Sequence, residues 1–358
     1  MTKILHVLIS PKAEGTPRLV LDWLTVPEYE QELLFLSDEG ALKFDFLATN
    51  VWQYYNTRFK LKLLNAFKIA ALVHSIARER KPDLVISWPM GFSQWIHLGA
   101  RFAGVKALIV YGGNPPGKGF LSRYVFTYLS FWIGFLLGNK VLTCSDYILN
   151  EFHKIPFLSR RQFSRVYNCF NYSKFQNSYE HRDDKQAIMV ATLEIHKDHE
   201  TLLRAWQLVD RKNKGYRLKL AGGGRLERHL KDLATNLNLT SVEFLGSRSD
   251  VPKLLQQSKI FVFSTTEQEG FGTVLLEALA SGCNIVAADV PACREALQDG
   301  QFGTLIPPRN PVALSEAILS SFETVMTSVQ LQSQIDYVLQ FTPLRMIHQY
   351  LEAVRKTN

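Results

Sequence analysis

The sequence predicts an α/β protein built from two doubly wound units, each with a parallel sheet covered by helices. Short apolar runs alternate with helical patterns along the whole chain, and the runs are apolar throughout, as in strands buried on both faces. A polar stretch interrupts this alternation near the middle. Because 358 residues suffice for two domains of ordinary size, each with its own core, two units are favoured over one.

The apolar runs and the helical patterns between them define the predicted elements. The predicted strands are Ile4–Ser10, Leu84–Trp88, Ala107–Tyr111, Lys140–Cys144, Ala187–Thr192, Arg217–Ala221, Val242–Leu245, Ile260–Phe263 and Asn284–Ala287. The predicted helices are Arg58–Arg80, Phe92–Phe102, Glu200–Val209, Arg225–Leu237 and Val251–Gln257. Strands that alternate with helices in this way are typical of parallel sheets.

The polar stretch Asn171–Lys185 has neither helical nor strand periodicity and is predicted to be a linker. We therefore expect a first domain at residues 1–172 and a second at 173–342. The terminal segment at 343–358 is expected to hold a last helix. Ligands of open α/β sheets bind beyond the carboxyl ends of the strands, so two facing units predict an active site in the cleft between them.

The charge of the chain is unevenly distributed. Residues 1–180 carry 21 Lys and Arg against 13 Asp and Glu, whereas residues 181–358 carry 20 of each, so the first half holds the whole net charge of +8. No recognisable nucleic-acid-binding module accompanies this charge, which argues against nucleic acid as a partner. An anionic membrane surface or an acidic acceptor fits better.

The cysteines and the first residues predict the cellular location of the protein. The cysteines are Cys144, Cys169, Cys283 and Cys293. They show no metal-binding spacing, and we expect buried, reduced thiols in a cytoplasmic protein. The apolar run at residues 4–10 is too short for a signal peptide and lacks a cleavage pattern, so it is predicted as the first strand.

One uncharged segment, Tyr124–Gly138, allows two interpretations. It is shorter than the roughly 20 apolar residues that span a bilayer. It is either a helix buried against the sheet or a helix that dips partly into lipid. The second interpretation predicts peripheral contact with the inner face of a membrane, aided by the basic residues Lys60, Lys62 and Lys68.

The stretch Ser264–Cys283 is the most informative motif. It joins a buried strand to a helix through a glycine loop, with Glu269 in the loop and Glu277 about one turn inside the helix. Gly270 and Gly272 allow the backbone to approach a ligand closely, and the N–H groups of the following helix favour an anion. This combination predicts a phosphate site, although an ordinary glycine-rich turn is the alternative.

This motif resembles that of the retaining glycosyltransferases of family 4, which have the two-domain GT-B fold. The resemblance is close from about Met189 to Pro308 and looser before it. It implies that the last helix, at 343–358, returns to the first domain. It implies that Glu269 contacts hydroxyls of the donor sugar and that Glu277 binds the ribose of the nucleotide. The further candidate donor-binding residues in the loop are Gly270, Phe271, Gly272 and Thr273. The amides of Phe271, Gly272 and Thr273 would take the charge that grows on the diphosphate.

Lys197 follows the predicted strand Ala187–Thr192 and is placed to reach a phosphate as a point charge. The resemblance implies that an arginine and a lysine hold the diphosphate. The chain keeps the lysine but has Thr192 where the arginine is expected, and a solvated loop lysine is the alternative. His196 and His199 flank Lys197. Either contact with a ligand or exposure in a loop would explain histidines at these two positions.

Three further positions are candidates for the donor site. Gly223 lies in a glycine-rich turn that lacks the third glycine of the dinucleotide fingerprint, so a nicotinamide site is not predicted. The resemblance instead implies that this turn lies beside the nucleotide, with Arg248 near the base. Asp250 is predicted to cap the next helix. Gly15, after the first strand, is implied to lie against donor phosphate and acceptor.

The resemblance implies transfer of a sugar from a nucleotide-diphosphate sugar to an acceptor glycan or lipid-linked saccharide, with retention, in cell-surface polysaccharide synthesis. Glu269 and Lys197 are the candidate catalytic residues. We expect no cofactor and no metal, because a helix N-terminus and a cation can stabilise the leaving diphosphate. A nucleotide-sugar epimerase of the same fold and a non-catalytic sugar-nucleotide-binding subunit remain alternatives.

Overall fold

A computed structural model describes residues 1–12, 15–61, 65–88, 90–116, 139–155, 159–176 and 182–355. The chain divides into two compact units. The first unit contains Met1–Cys169 together with Pro343–Asn358, and the second unit contains Phe170–Thr342.

The elements within the described residues are numbered in chain order. The strands are β1 (Lys3–Leu8), β2 (Glu30–Phe35), β3 (Gln53–Tyr55), β4 (Leu84–Ser87), β5 (Ala107–Gly112), β6 (Lys140–Thr143), β7 (Phe163–Arg165), β8 (Asp183–Val190), β9 (Arg217–Ala221), β10 (Val242–Gly246), β11 (Ser258–Phe263), β12 (Asn284–Ala288) and β13 (Thr304–Ile306). The helices are α1 (Gly15–Trp23), α2 (Lys43–Leu47), α3 (Ala66–Arg80), α4 (Ser93–Phe102), α5 (Asp146–His153), α6 (His199–Asp210), α7 (Glu227–Asn236), α8 (Val251–Gln256), α9 (Thr273–Ala280), α10 (Pro291–Ala296), α11 (Pro311–Glu323), α12 (Ser328–Val338) and α13 (Pro343–Arg355).

The first unit is built on a parallel sheet with the strand order β3-β2-β1-β4-β5-β6-β7. Apolar side chains of β1, β2 and β4 pack against α3 and α4; this core includes Leu5, Val7, Leu34, Ile69, Val73, Val85 and Ile96. The last helix, α13, packs against α1, β5 and β6. The strand order reverses between β1 and β4, which is the point where doubly wound sheets hold ligands.

The second unit has a parallel sheet with the strand order β10-β9-β8-β11-β12-β13. Its reversal point lies between β8 and β11, where Ile260 pairs with Ala187 and Phe261 with Ile188. The apolar residues of these strands, Ile188, Phe261, Val262 and Phe263 among them, are fully buried. Both sheets have the topology of doubly wound folds, which confirms the predicted fold class.

The structure corrects the predicted helix at Arg58–Arg80, which begins only at Ala66. The side-chain amide of Asn56 donates to the carbonyls of Leu36 (3.0 Å) and Phe59 (2.9 Å). The Asn65 amide donates to Lys60 (2.7 Å). These side-chain hydrogen bonds compete with helical ones and hold the backbone in turns.

The predicted linker is also too long. Its last residues, Asp183 to Lys185, are the start of β8. Asp183 pairs with Ser258 across the sheet, and its carboxylate forms an ion pair with Arg217. Tertiary pairing therefore gives an extended conformation to a polar sequence without strand periodicity.

The apolar segment Tyr124–Gly138 and Lys62 lie outside the described residues, so both interpretations of the segment remain predictions. Among the helices that the described residues form, none is both long and apolar enough to cross a bilayer. All four cysteines are buried, and none of them forms a disulfide, as expected for structural thiols.

Candidate functional site

The loops that follow β8 and β11 come together at the reversal point of the second sheet. After β8 the chain enters a short 3₁₀ turn at Ile195–Lys197. After β11 it passes through three hydroxyl residues to Glu269. Because β8 and β11 are neighbouring parallel strands, their carboxyl ends lie at the same edge of the sheet.

Lys197 and Glu269 meet there as an ion pair between Nζ and Oε2, with side chains only 16% and 11% exposed. The other carboxylate oxygen of Glu269, Oε1, accepts a hydrogen bond from the Gly270 amide at 3.2 Å. Burial acts to raise the pKa of Glu269, but the charge and hydrogen bond of Lys197 outweigh it and lower that pKa. Glu269 is therefore a carboxylate at neutral pH.

Hydroxyl groups tie the 3₁₀ turn to the end of β11. Ser264 Oγ lies 3.0 Å from the Asp198 carbonyl oxygen and 3.3 Å from that of Lys197. Thr265 Oγ1 and Thr266 Oγ1 each lie 3.0 Å from the His196 carbonyl oxygen. This set of hydroxyl groups was not predicted from the sequence; its signal is three consecutive hydroxyl residues directly after a buried strand.

The glycine loop leads from Glu269 into α9. Gly272 precedes the first helical residue, Thr273, and has φ 76°, a left-handed conformation that favours glycine. Phe271 is buried and packs against the Phe341 ring, with centroids 5.9 Å apart. The N-terminus of α9 therefore begins beside the Lys197–Glu269 pair, with the electrostatic polarity that attracts anions.

Glu277 lies one turn inside α9 and is partly buried. Its carbonyl oxygen accepts from the Ser281 amide at 3.0 Å, so the backbone at Glu277 is regular helix. The structure thus places Glu269–Gly272 in one loop, and Thr273 and Glu277 on the helix that follows it.

The glycine-rich turn after β9 lies against the segment that leads to Lys197. A Cβ atom at Gly222 would lie 1.9 Å from the Ala191 carbonyl oxygen, and one at Gly223 would lie 2.8 Å from Ser247 Oγ. Arg225 binds Glu194 through Nε and Oε2 at 2.6 Å. Close backbone approach therefore explains Gly222, whereas a Cβ atom at Gly223 would meet only a side-chain hydroxyl.

Arg248 lies in the loop before α8, and Gly15 belongs to the first unit. Arg248 forms an ion pair with Asp250: Nε donates to Oδ1 at 2.8 Å and Nη2 donates to Oδ2 at 2.7 Å. Asp250 is the N-cap residue of α8, as predicted, but its carboxylate binds Arg248 and makes no capping hydrogen bond. Gly15 is an exposed residue at the start of α1 in the first unit, and no atom lies within 4 Å of a Cβ built there.

The histidines around Lys197 differ in environment. His199 is 2% exposed, so loop exposure does not explain it. Burial, with the charge of Lys197 nearby, lowers the pKa of His199 to about 3, so its ring is neutral. His196 is partly buried, and burial followed by the Lys197 charge lowers its pKa too.

No cluster of three or more His, Cys, Asp or Glu side chains suited to a metal occurs within the residues that the structure describes. Metal independence stays a prediction.

The family model and the relatives that this chain resembles are those of glycosyltransferases. Residues 172–331 match the family model described as Glycosyl transferases group 1. An uncharacterized glycosyltransferase of Haemophilus influenzae is 27% identical over 175 residues, which is 48% of this chain and 49% of that protein. The alignments with curated relatives thus span about half of those proteins or less.

A second relative has a more specific name. The N,N'-diacetylbacillosaminyl-diphospho-undecaprenol alpha-1,3-N-acetylgalactosaminyltransferase of Campylobacter jejuni is 40% identical over 96 residues, 27% of this chain and 25% of that protein.

Among solved structures, HepE from Anabaena, crystallised with UDP and glucose, matches with a TM-score of 0.81 and 19% identity. The match covers 99% of this chain and 100% of HepE. A glycosyltransferase from Rickettsia africae matches with a TM-score of 0.80 and 17% identity, over 99% and 98% of the two chains. With its two doubly wound units, the chain has the GT-B fold, as the sequence predicts.

Proposed function

We propose that this chain is a glycosyltransferase that moves a sugar from a nucleotide-diphosphate sugar to an acceptor glycan or lipid-linked saccharide. The observation that carries the proposal is the buried Lys197–Glu269 pair beside the N-terminus of α9, within the region that matches the family model. A cation, a carboxylate and a helix N-terminus at the reversal point of a doubly wound sheet suit a sugar joined to a diphosphate.

In the proposed reaction, the bond between the anomeric carbon and the diphosphate oxygen breaks, and the oxygen keeps the electron pair. Lys197 and the amides of Phe271, Gly272 and Thr273 stabilise the negative charge that develops there. Glu269 accepts hydrogen bonds from sugar hydroxyls, and Glu277 holds the ribose. The acceptor oxygen forms the new bond, and its proton is released.

Donor binding then requires an exchange of partners. Without donor, Lys197 and Glu269 neutralise each other. With donor, Lys197 turns to the diphosphate, and the sugar hydroxyls supply hydrogen bonds to Glu269. The low pKa of Glu269 supports this role, because an ionised carboxylate is a pure acceptor.

A thermal-shift screen tests the donor. UDP-glucose is the first probe, since HepE was crystallised with UDP and glucose; UDP-N-acetylglucosamine, UDP-galactose, GDP-mannose and ADP-glucose complete the panel. A ligand at one hundred times its Kd stabilises the native state by about 2.7 kcal/mol. A panel without any stabilising nucleotide sugar would contradict the proposal.

For the acceptor, we propose a lipid-linked saccharide used in cell-surface polysaccharide synthesis, reached from the cytoplasmic side. The Campylobacter relative, whose name includes a diphospho-undecaprenol carrier, supports this choice. In the first unit, Phe67 is 74% exposed and contacts Trp95 edge-on, and the cations Lys60 and Lys68 are exposed nearby in the sequence. This combination suits peripheral contact with an anionic bilayer.

Flotation with liposomes of phosphatidylglycerol at low salt tests the contact. We expect the wild type to float, and Phe67→Ala with Lys68→Ala to float less. Liposomes of phosphatidylcholine alone are the control, and equal recovery with both lipids would contradict the proposal.

Retention, metal independence and acceptor use are tested together by product analysis. We expect an α-configured product from an α-linked donor by NMR, and the same rate in EDTA. Isomerised donor without acceptor would indicate an epimerase instead, whereas donor binding without nucleotide release would indicate a non-catalytic subunit.

A further inference from the structure

The hydroxyl of Thr265 has one proton and two acceptors within reach. Thr265 is fully buried, and its Oγ1 lies 3.0 Å from the His196 carbonyl oxygen and 3.4 Å from Glu269 Oε2. A hydroxyl donates a single hydrogen bond at a time, so only one of these acceptors receives the proton. Rotation about the Cβ–Oγ1 bond is enough to exchange them.

The His196 carbonyl does not depend on Thr265. It also accepts from the Thr266 amide at 2.9 Å and lies 3.0 Å from the Thr266 hydroxyl. A carbonyl oxygen has two lone pairs, and these two donors suffice for them. The His196 carbonyl oxygen therefore does not need the Thr265 hydroxyl as a hydrogen-bond donor.

Glu269 is in the opposite situation. Its carboxylate is buried, and the described contacts of its Oε2 are the Lys197 ammonium and the Thr265 hydroxyl. When Lys197 turns to a diphosphate, Oε2 loses its strongest partner in a place that water reaches poorly. Leaving a buried carboxylate without compensation is costly and raises its pKa.

We propose that Thr265 is a positioning residue. Its hydroxyl turns from the His196 carbonyl to Glu269 Oε2 when Lys197 turns to the diphosphate of the nucleotide sugar. This inference rests on the proposed function. The added hydrogen bond keeps Glu269 ionised and fixes the carboxylate for the sugar hydroxyls. No covalent bond changes in this step.

Other titratable groups near Glu269 set the background for any pH effect. Lys197 and His196 lie on the 3₁₀ turn, and Cys293 on α10 also interacts electrostatically with Glu269. The substitutions proposed below leave all three in place, so a change in the pH profile reports on the hydroxyl.

The test compares Thr265→Val, which removes the hydroxyl at nearly constant volume, with Thr265→Ser, which keeps it. Thr266→Val is the matched control. It removes the other hydroxyl that contacts the His196 carbonyl, while the Thr266 amide still donates to that carbonyl. The readout is the pH dependence of kcat for nucleotide release, with the donor that the panel above selects. Thermal unfolding checks that each variant is folded.

For Thr265→Val we expect kcat to fall about tenfold and the acid limb of its pH profile to move up by about one pH unit. Thr265→Ser and Thr266→Val should stay within about threefold of the wild type, with unshifted limbs. If the valine variant does not fold, Thr265→Ala carries the same expectation.

An unshifted limb in folded Thr265→Val, or an equal shift in Thr266→Val, would overturn the inference while leaving the proposed function intact. A wild type that is inactive with every donor of the panel would overturn both.

Discussion

The same topological position is used in opposite ways in the two sheets. Between β8 and β11, the second unit places an ion pair, hydroxyl groups and a glycine loop. Between β1 and β4, the first unit places a packed aromatic cluster. Both sheets reverse their strand order at these points. Topology therefore gives both sheets the same position, and the side chains decide whether that position holds polar groups or a packed aromatic cluster.

The aromatic cluster of the first unit is tightly interlocked. The Trp23 ring lies 4.9 Å from the Tyr350 ring and 5.7 Å from the Trp88 ring, both edge-on. The Trp88 indole N–H donates to His6 Nδ1 at 3.2 Å, and Tyr111 packs on Trp88 with centroids 5.0 Å apart. Because α13 contributes Tyr350, the C-terminal helix completes the core of the unit that the first residues of the chain begin.

The largest effect is expected from breaking this cluster. Trp23→Ala should lower the free energy of unfolding of the first unit by about 3–5 kcal/mol, since a fully buried indole leaves a cavity. Tyr350→Phe is the matched control: within the described residues its buried hydroxyl has no hydrogen-bond partner, so its loss should be nearly neutral. Hydrogen exchange resolved by peptide measures each unit separately, and equal losses in both units would contradict the comparison.

The second-largest effect is expected from removing either partner of the Lys197–Glu269 ion pair in the second unit. Lys197→Ala and Glu269→Ala should each lower kcat about 10²–10³-fold, because each removes a group that acts on developing charge or holds the sugar. Glu267→Gln, two residues before Glu269, is the control and should retain activity. Near-normal turnover in either folded alanine variant would count against the site.

The third prediction compares the acid sensitivity of the units. Burial lowers the pKa of His6 to about 4 and of His97 to about 3 in the first unit, and of His199 to about 3 in the second. The unfolded chain binds protons near pH 6.5 and the folded chain does not, so stability falls as the pH drops below 6.5.

Between pH 6.5 and 5, each buried histidine should remove roughly 1–2 kcal/mol of stability. Denaturant unfolding followed by hydrogen exchange should show a larger loss in the first unit, which holds His6, His97 and His153, than in the second unit, which holds His196 and His199. A larger loss in the second unit would be inconsistent with these burials.

The smallest effect is expected at Arg248. Its ion pair with Asp250 is exposed, so Arg248→Ala should leave the unfolding midpoint unchanged within error. The KM for the donor distinguishes the remaining roles: an increase supports the predicted position near the base, and an unchanged KM indicates a surface ion pair only.

The sequence alone determined much of the fold. Apolar runs bounded by turn residues predicted strands such as Arg217–Ala221, whose bounds match β9, and the motif around Glu269 predicted the strand, loop and helix that the structure shows. These features depend on neighbours in the chain. Local periodicity and glycine placement are therefore sufficient to predict them.

The tertiary structure decided what depends on distant residues. Strand β2 begins with polar residues and was missed; Glu32 is buried there because Arg80 and Lys3 pair with it. The contact between Lys197 and Glu269 joins residues 72 positions apart, and the choice of acceptor for the Thr265 proton exists only where two loops meet. Burial and pairing of polar groups are set by the whole fold, and no local pattern encodes them.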